Sequence, residues 1–242
     1  MDTIKNIKLT VIYDNNSIQD NLQADWGFSC LIESDTNKIL FDTGDKGSIL
    51  LMNMKELNID PFSIDTIFIS HADHDHTGGL SDFLKINSNI KIYYSISFPD
   101  ELVNMIKNYE AQLFPIKEFT EILPGLFSLG EIGKQRPEQN LVIRSSKGLI
   151  IITGCSHPGI TNILEITKNK FPDEKIYLVL GGFHLYKSNE EEIKNIVQKI
   201  FDMEILTVAP AHCTGNTANR IFKDVFSIDY IEISAGKIIC VN

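Results

Sequence analysis

One short segment holds the histidines and aspartates with the clearest chemical meaning. Residues 70–80 read SHADHDHTGGL, with three histidines and two aspartates within six consecutive positions. Neutral imidazole and carboxylate are the ligands that borderline and hard divalent cations prefer. A loop carrying His71, Asp73, Asp75 and His76 can divide these ligands between two adjacent cations. The pattern predicts a dinuclear metal site, and a polar loop that simply faces solvent is the less favoured interpretation.

The sequence on either side of this segment predicts where it lies in the fold. The apolar residues 67–69 come directly before it and indicate a buried strand. After a glycine pair, Leu80, Phe83 and Leu84 recur at helical spacing. The segment is therefore expected to form a loop between a strand end and a helix, where binding and catalytic residues concentrate.

Three other histidines share this placement. His157, His184 and His212 each come a few residues after an apolar, strand-like run, as His71 does. A single histidine in such a place would more often be structural than a ligand, but four of them favour a shared site. Because strand ends can meet at one edge of a sheet, we expect the four imidazoles to lie close together.

Length, composition and charge limit the class of protein. The chain has 242 residues, of which 43% are hydrophobic and 22% charged, as in soluble globular proteins, and a single domain over residues 1–242 is expected. The net charge of −10 disfavours a nucleic-acid partner, since that binding depends on basic surface. The sequence has no apolar run of about 18 residues and no signal-like N-terminus. We therefore expect no membrane partner, a cytoplasmic location and a small-molecule substrate.

The four cysteines are not spaced as a disulfide framework or a zinc knuckle. Cys30, Cys155, Cys213 and Cys240 include no pair at C-x-x-C spacing. Cys155 and Cys213 stand beside motif histidines, where we expect buried thiols near the site rather than ligands.

A loop-like stretch at residues 130–140 holds the best candidates for contact with an anionic substrate. Lys134 and Arg136 lie in it, although basic side chains in loops are more often simply solvated. No motif names the substrate, and the substrate-binding residues are unknown at this level.

Strand and helix patterns alternate in two similar halves. Hairpins are predicted near the start of each half, within residues 28–41 and 141–152, and apolar strands followed by amphipathic helices come after them. Helices on the outside of two packed sheets satisfy this order. Ser188 with Glu191 predicts a capping box for a late helix, and a hairpin around residues 235–236 is expected to close the chain.

Five short motifs, in this order, resemble the metallo-β-lactamase superfamily. They are Asp42-Thr43-Gly44, HADHDHTGG from position 71, GCSH from 154, GGFHL from 181 and HCTG from 212. The last three are similar to the subgroup of metal-dependent hydrolases that includes the archaeal dihydropterin–ribofuranosylaminobenzene phosphate synthase of methanopterin biosynthesis. The resemblance covers nearly the whole chain. It implies an α/β fold, a four-layer αββα sandwich with a dinuclear metal site at one edge of its sheets.

The resemblance also implies two sets of three metal ligands, taken from these motifs. His71, Asp73 and His157 would bind the first cation. Asp75, His76 and His212 would bind the second. Asp42 would support the loop from behind without contacting a cation. The implied cofactor is two divalent cations, which could be zinc, manganese or iron.

Two positions depart from the superfamily pattern. Asp73 stands where a histidine is usual, and a carboxylate there favours iron or manganese over zinc, with His74 as the alternative ligand. Gly182 stands where a bridging aspartate is expected. His184, two residues later, is placed either to ligate a metal or to contact substrate.

The implied reaction is hydrolysis, or a related transfer, of a small phosphorylated, ester or lactone substrate. Asp75 would accept a proton from a metal-activated water, and His184 would stabilise an oxyanion or a leaving group. In a synthase reaction the cations would instead neutralise a leaving pyrophosphate. A di-iron redox enzyme is one alternative, favoured by Asp73 and disfavoured because 242 residues leave no room for a flavin domain. A degenerate, non-catalytic ligand-binding member of the fold is the other.

Overall fold

Two β-sheets packed face to face form the centre of the protein, which a computed structural model describes over residues 2–242. The strands are β1 (Ile7–Tyr13), β2 (Ser29–Glu33), β3 (Lys38–Phe41), β4 (Thr66–Phe68), β5 (Lys91–Ser95), β6 (Gln112–Ile116), β7 (Thr120–Leu123), β8 (Leu126–Ser128), β9 (Leu141–Ser145), β10 (Gly148–Thr153), β11 (Ile176–Gly182), β12 (Thr207–Ala211) and β13 (Ile238–Val241). The α-helices are α1 (Gly47–Glu56), α2 (His74–Thr77), α3 (Leu80–Ile86), α4 (Asp100–Lys107), α5 (Ile160–Lys170), α6 (Glu190–Asp202) and α7 (Asn216–Phe226). Within residues 2–242, none of the helices is both long and apolar enough to cross a membrane.

The sheet topology brings the carboxyl ends of several strands to one edge. The first sheet has the order β13-β1-β2-β3-β4-β5-β6, and the second has the order β12-β11-β10-β9-β8-β7. Strands β3, β4, β5 and β6 run parallel in the first sheet, as do β10, β11 and β12 in the second. The loops that leave parallel strands emerge on the same side of a sheet, which is where ligand sites of such sheets form.

Three apolar clusters show that the protein has four layers. The cluster between the sheets includes Leu9 and Phe41 from one sheet and Ile152 from the other. Helices α1, α3 and α4 pack on the outer face of the first sheet, and α5, α6 and α7 pack on the outer face of the second. This arrangement confirms the predicted αββα sandwich.

Strand β10 illustrates why the apolar runs are continuous rather than alternating. Ile150 and Ile152 face the other sheet, and Leu149 and Ile151 face the helices of the second outer layer. A strand covered on both faces needs apolar side chains at every position. Such a strand carries the chain to Cys155 and the segment that follows it.

Three local expectations differ from the structure. The capping box of α6 uses Asn189 and Glu192, not Ser188 and Glu191, because Asn189 begins the helix one residue later. The end of the chain does not form a hairpin of its own, since β13 pairs with β1. Strand β6 was not predicted, because it is largely exposed at the sheet edge and contains Pro115, which disfavours a strand by sequence.

Candidate metal centre

The loop after β4 is held by one buried carboxylate. Asp42, at the end of β3, accepts hydrogen bonds from the backbone N–H and the hydroxyl of Ser70, each at 2.7 Å. Its Oδ2 also lies 2.7 Å from Nδ1 of His76. Part of the predicted loop is instead the short helix α2, and His76 within it is buried. Asp42 therefore ties the histidine segment to the first sheet from the inner side.

Three histidines share one hydrogen-bond arrangement, in which Nδ1 faces an oxygen. The oxygens are Ser70 Oγ at 2.8 Å from His71, Asp42 Oδ2 at 2.7 Å from His76 and Asn15 Oδ1 at 2.9 Å from His212. Carboxylate and amide oxygens only accept, and the Ser70 hydroxyl already donates to Asp42. Nδ1 of each of these three rings therefore carries the proton, and Nε2 presents a lone pair. Metal-binding histidines are oriented in this way by their outer partners. Nδ1 of His157 lies 3.2 Å from Glu138 Oε2 but is not hydrogen-bonded within residues 2–242.

Two of these Nε2 atoms lack a hydrogen-bond partner although they are buried. His71 is 1% exposed and His212 is 6% exposed, and Nε2 of each has no hydrogen-bond partner among residues 2–242. Leaving a buried polar atom unsatisfied costs about 1–3 kcal/mol. A divalent cation accepts such lone pairs directly, so these residues fit the metal that the motifs imply.

The first donor group contains His71, Asp73 and His157. Nε2 of His71 and Nε2 of His157 each lie 3.7 Å from Asp73 Oδ2. The Arg136 guanidinium lies 3.0 Å from His157 Nε2 and 3.4 Å from the same Asp73 oxygen. The positive charge of Arg136 therefore lies beside acceptor atoms of Asp73 and His157. The same acceptor atoms would suit a metal ion.

The second donor group contains Asp75, His76 and His212, and Cys155 lies with them. Their ligand atoms all lie within 4.8 Å of one another. Asp75 Oδ2 is 3.1 Å from His212 Nε2 and 3.8 Å from His76 Nε2. With the proton on Nδ1 of both rings, these atoms are all acceptors facing one another. A cation between them converts a repulsive arrangement into coordination.

The electrostatic environment sets the protonation states of the candidate ligands. Burial, above all, lowers the pKa of His76 to about 3, so its imidazole is neutral at pH 7. The nearby imidazole of His71, whose Nε2 lies 3.7 Å from Asp73 Oδ2, is the largest of the effects that lower the pKa of Asp73 to about 2. Burial alone would raise the pKa of Asp75, but the close imidazoles of His212 and His76 hold it well below its usual range. Both carboxylates are therefore ionised.

The remaining residues singled out by sequence occupy other positions. The His184 ring lies 4.6 Å from the His157 ring, and its buried Nδ1 has no hydrogen-bond partner in the described part of the chain. The His74 side chain is 77% exposed, 3.9 Å from an Asp45 oxygen and outside both donor groups. A Cβ at position 182 would lie 2.6 Å from the Cys213 sulfur. That thiol fills the space where a bridging aspartate would enter.

The backbone near the strand ends is in the left-handed region at four non-glycine residues. The φ angles are 53° at Asp42, 61° at Ser156, 51° at His184 and 46° at His212. This conformation costs of order 1–3 kcal/mol per residue and is found mainly at functional sites. The sharp turns direct neighbouring side chains toward the shared edge of the sheets.

The residues that orient the ligands were missed by sequence analysis. Glu138 is fully buried and accepts hydrogen bonds from the backbone N–H groups of Ser156 and His157, at 2.9 Å and 3.0 Å. Asn15 holds both the ring and the backbone carbonyl of His212. Glu138 lies in the irregular segment between β8 and β9, and Asn15 lies in the one after β1. Neither residue is adjacent in sequence to any of the five motifs. Only burial and the geometry of the fold distinguish them from ordinary polar loop residues.

Comparisons with known proteins give the family. The family model of the metallo-β-lactamase superfamily matches residues 27–165. A Methanocaldococcus jannaschii protein named 7,8-dihydropterin-6-methyl-4-(β-D-ribofuranosyl)-aminobenzene-5′-phosphate synthase is 32% identical over 98% of this chain and 97% of its own length. The chain belongs to the metallo-β-lactamase superfamily.

Solved structures agree with this assignment to the metallo-β-lactamase superfamily. The crystal structure of a metal-dependent hydrolase of the β-lactamase superfamily is 32% identical, covers 96% of this chain and 98% of that chain, and has a TM-score of 0.81. The Bacillus subtilis metallo-β-lactamase fold protein YhfI is 16% identical and has a TM-score of 0.71, with 98% of this chain and 100% of that chain covered. At that identity the second likeness concerns the fold alone.

The single tryptophan of this metallo-β-lactamase superfamily member provides a probe of the second donor group. Trp26 Nε1 donates to Asp75 Oδ2 at 2.8 Å, and its ring lies 4.8 Å from the His212 ring. We expect tryptophan emission to change when Zn²⁺ is titrated into metal-free protein, because the cation alters the charge beside the indole. In Asp75→Asn the titration midpoint should rise by at least ~10-fold. An unchanged midpoint in this variant would contradict the assignment of Asp75.

Proposed function

We propose that this protein is a metal-dependent hydrolase that holds two divalent cations in adjacent donor groups and acts on a small phosphorylated substrate. The observation that carries the proposal is the common orientation of His71, His76 and His212, in which Nδ1 is held by an oxygen and Nε2 faces Asp73 or Asp75 at 3.1–3.8 Å. Two ionised carboxylates, Asp73 and Asp75, complete two sets of three ligands. The carboxylate at position 73 makes manganese and iron candidates beside zinc.

The ligand residues would divide the chemistry between binding and proton transfer. Bound divalent cations supply an acidified water and positive charge for a developing oxyanion. Asp75, ionised and held by the Trp26 indole N–H, would accept a proton from the attacking water as well as act as a ligand. His184, whose ring lines the cavity beside His157, would donate a hydrogen bond to the oxyanion or the leaving group.

The cleft beside the first donor group supports an anionic substrate. A cavity of about 650 Å³ is lined by His157 and His184 and by three basic residues, Lys134, Arg136 and Lys187. The chain as a whole has a net charge of −10. Three cationic side chains around one cavity therefore form a local region of positive charge. Phosphate groups are bound by arginine and lysine side chains of this kind. The volume suits a small molecule, and we propose neither a nucleic acid nor a membrane as partner.

Loss of Arg136 is expected to weaken phosphate binding. In Arg136→Gln, inorganic phosphate should bind metal-loaded protein at least ~10-fold more weakly, because a hydrogen bond to a charged group contributes about 1.5–3 kcal/mol. Isothermal titration calorimetry measures the dissociation constant. Lys147→Gln is the matched control, since Lys147 is an exposed cation in the turn between β9 and β10. Equal losses in both variants would show a general charge effect and contradict a role for Arg136.

Metal content combined with turnover tests the proposed function. Protein purified without chelators or added metal should contain about two zinc, manganese or iron ions per chain, and should hydrolyse phosphate esters in preference to carboxylic esters or lactones. Asp73→His is the companion variant. Iron together with consumption of oxygen and a reductant would instead favour a redox enzyme. One ion or fewer, restored to two by Asp73→His, without turnover, would favour a non-catalytic ligand-binding protein.

Group transfer is the second candidate, because the similarity to the synthase extends over nearly the full length of both chains. The name of that relative describes a phosphorylated ribofuranosyl compound joined to a pterin. In a transfer reaction the same cations and Arg136 would stabilise a phosphorylated leaving group while an acceptor molecule replaces water as the nucleophile. Turnover that requires an added acceptor, and that water does not support, would favour this candidate over hydrolysis.

A further inference from the structure

The thiol of Cys155 lies where the two donor groups meet. Cys155 Sγ is 3.2 Å from His76 Nε2, and it also lies within 4.8 Å of the ligand nitrogens of His71 and His157. The same sulfur is therefore near ligands of both groups. The residue is 3% exposed, so its thiol is shielded from solvent.

Position 182, where the superfamily pattern has an aspartate that bridges the two cations, is a glycine in this chain. A side chain there would collide with the Cys213 sulfur and the Gly154 carbonyl, so no carboxylate can enter from β11. The Nε2 atoms of His71 and His212, one from each donor group, have no hydrogen-bond partner within residues 2–242. Three soft or borderline donors therefore converge on a space that no carboxylate at position 182 can reach.

We propose that Cys155, as a thiolate, is a metal ligand shared by the two cations in place of a bridging carboxylate. The inference rests on the metal centre of the proposed function and adds a ligand to it. Coordination replaces the S–H proton, which passes to solvent. For a tetrahedral ion with Zn–S near 2.3 Å and Zn–N near 2.0–2.1 Å, the sulfur and nitrogen ligands would be about 3.5 Å apart, close to the observed 3.2 Å.

The neighbouring thiol of Cys213 is placed differently. Its sulfur lies 3.5 Å from the backbone carbonyl of Cys155. It shares a potential ligand group with Cys155 and His184 but not with His71, His76 or His212. Cys213 therefore packs behind the centre, and its removal serves as a control for the loss of any buried thiol near the site. Cys30, buried between the sheets, is the distant control.

A shared thiolate changes which metals the centre prefers. Manganese favours oxygen ligands, whereas a soft sulfur ligand favours zinc or iron. With Cys155 as a ligand, metal-free protein offered equal amounts of Zn²⁺ and Mn²⁺ should take up zinc by a large excess. In Cys155→Ser, which replaces sulfur with oxygen, that excess should fall by at least ~10-fold.

Cobalt substitution tests the proposal directly. Co²⁺-loaded wild-type protein should show a near-ultraviolet thiolate-to-cobalt charge-transfer band. The band should be lost in Cys155→Ser and Cys155→Ala and kept in Cys213→Ser and Cys30→Ser. X-ray absorption of the zinc-loaded wild-type protein should show a sulfur neighbour at about 2.3 Å, a result that does not depend on whether any variant folds.

Any one of four outcomes would contradict the proposal that Cys155 is a shared metal ligand. These are a wild-type spectrum without the charge-transfer band, a band that persists without Cys155, a band lost only when Cys213 is replaced, and a zinc shell without sulfur. If the cobalt protein turns over substrate but has no such band, the inference fails and the proposed function stands. If wild-type protein binds no divalent cation, both fail together.

Discussion

Replacing Asp75 with asparagine is expected to reduce bound metal from about two ions per chain to about one. Asp75 Oδ2 lies between His212 Nε2 and His76 Nε2, at 3.1 Å and 3.8 Å, and provides the negative charge of the second donor group. Loss of a residue that only orients a ligand weakens metal affinity by roughly 10–100-fold. Removing a direct ligand such as Asp75 should weaken metal affinity by more than that. Elemental analysis after gel filtration, and competition with a metal indicator, measure stoichiometry and affinity.

His74→Ala is the matched control for this change. His74 is in the same short helix, is 77% exposed, and lies near Asp45 rather than near the ligands. We expect its removal to leave stoichiometry and affinity unchanged. If His74→Ala lost a cation and Asp75→Asn did not, the second donor group would have been assigned to the wrong residues of the segment.

Replacing Glu138 with alanine is expected to lower both stability and affinity at the first donor group. The variant leaves the backbone N–H groups of Ser156 and His157 without their acceptors, and at about 1–3 kcal/mol for each the free energy of unfolding should fall by about 2–6 kcal/mol. The His157 ring also loses the oxygen beside Nδ1, so metal affinity should fall by ~10–100-fold. Urea unfolding of the metal-free protein and a metal titration measure the two effects separately.

Glu174→Ala is the control for the loss of a paired carboxylate. Glu174 pairs with Arg144 near the protein surface, away from the donor groups. Its loss should cost about 1–3 kcal/mol, because the pair is bidentate and partly buried, and should not change metal affinity. A Glu138→Ala variant as stable as wild type, with full metal affinity, would show that Glu138 does not hold the loop after β10.

The fold was predictable because its two main patterns are local and repeated. The continuous apolar runs of β10 and β11 and the amphipathic helices after them are direct consequences of burial on both faces of a sheet and on one face of a helix. The errors occurred where burial is weak. The α6 cap differs from its prediction by one residue, and β6 is an exposed edge strand.

The residues that could bind a cation can be identified from the amino-acid sequence, because imidazole and carboxylate groups have that chemistry wherever they lie, and their dense spacing in residues 71–76 is visible without a structure. The orientation of these groups depends on the folded chain. Glu138 and Asn15 hold ligands that they reach through space, and Cys155 meets both donor groups only when the two sheets pack together. The direction of a lone pair depends on the partner of the opposite ring nitrogen, and that partner is brought into place by folding.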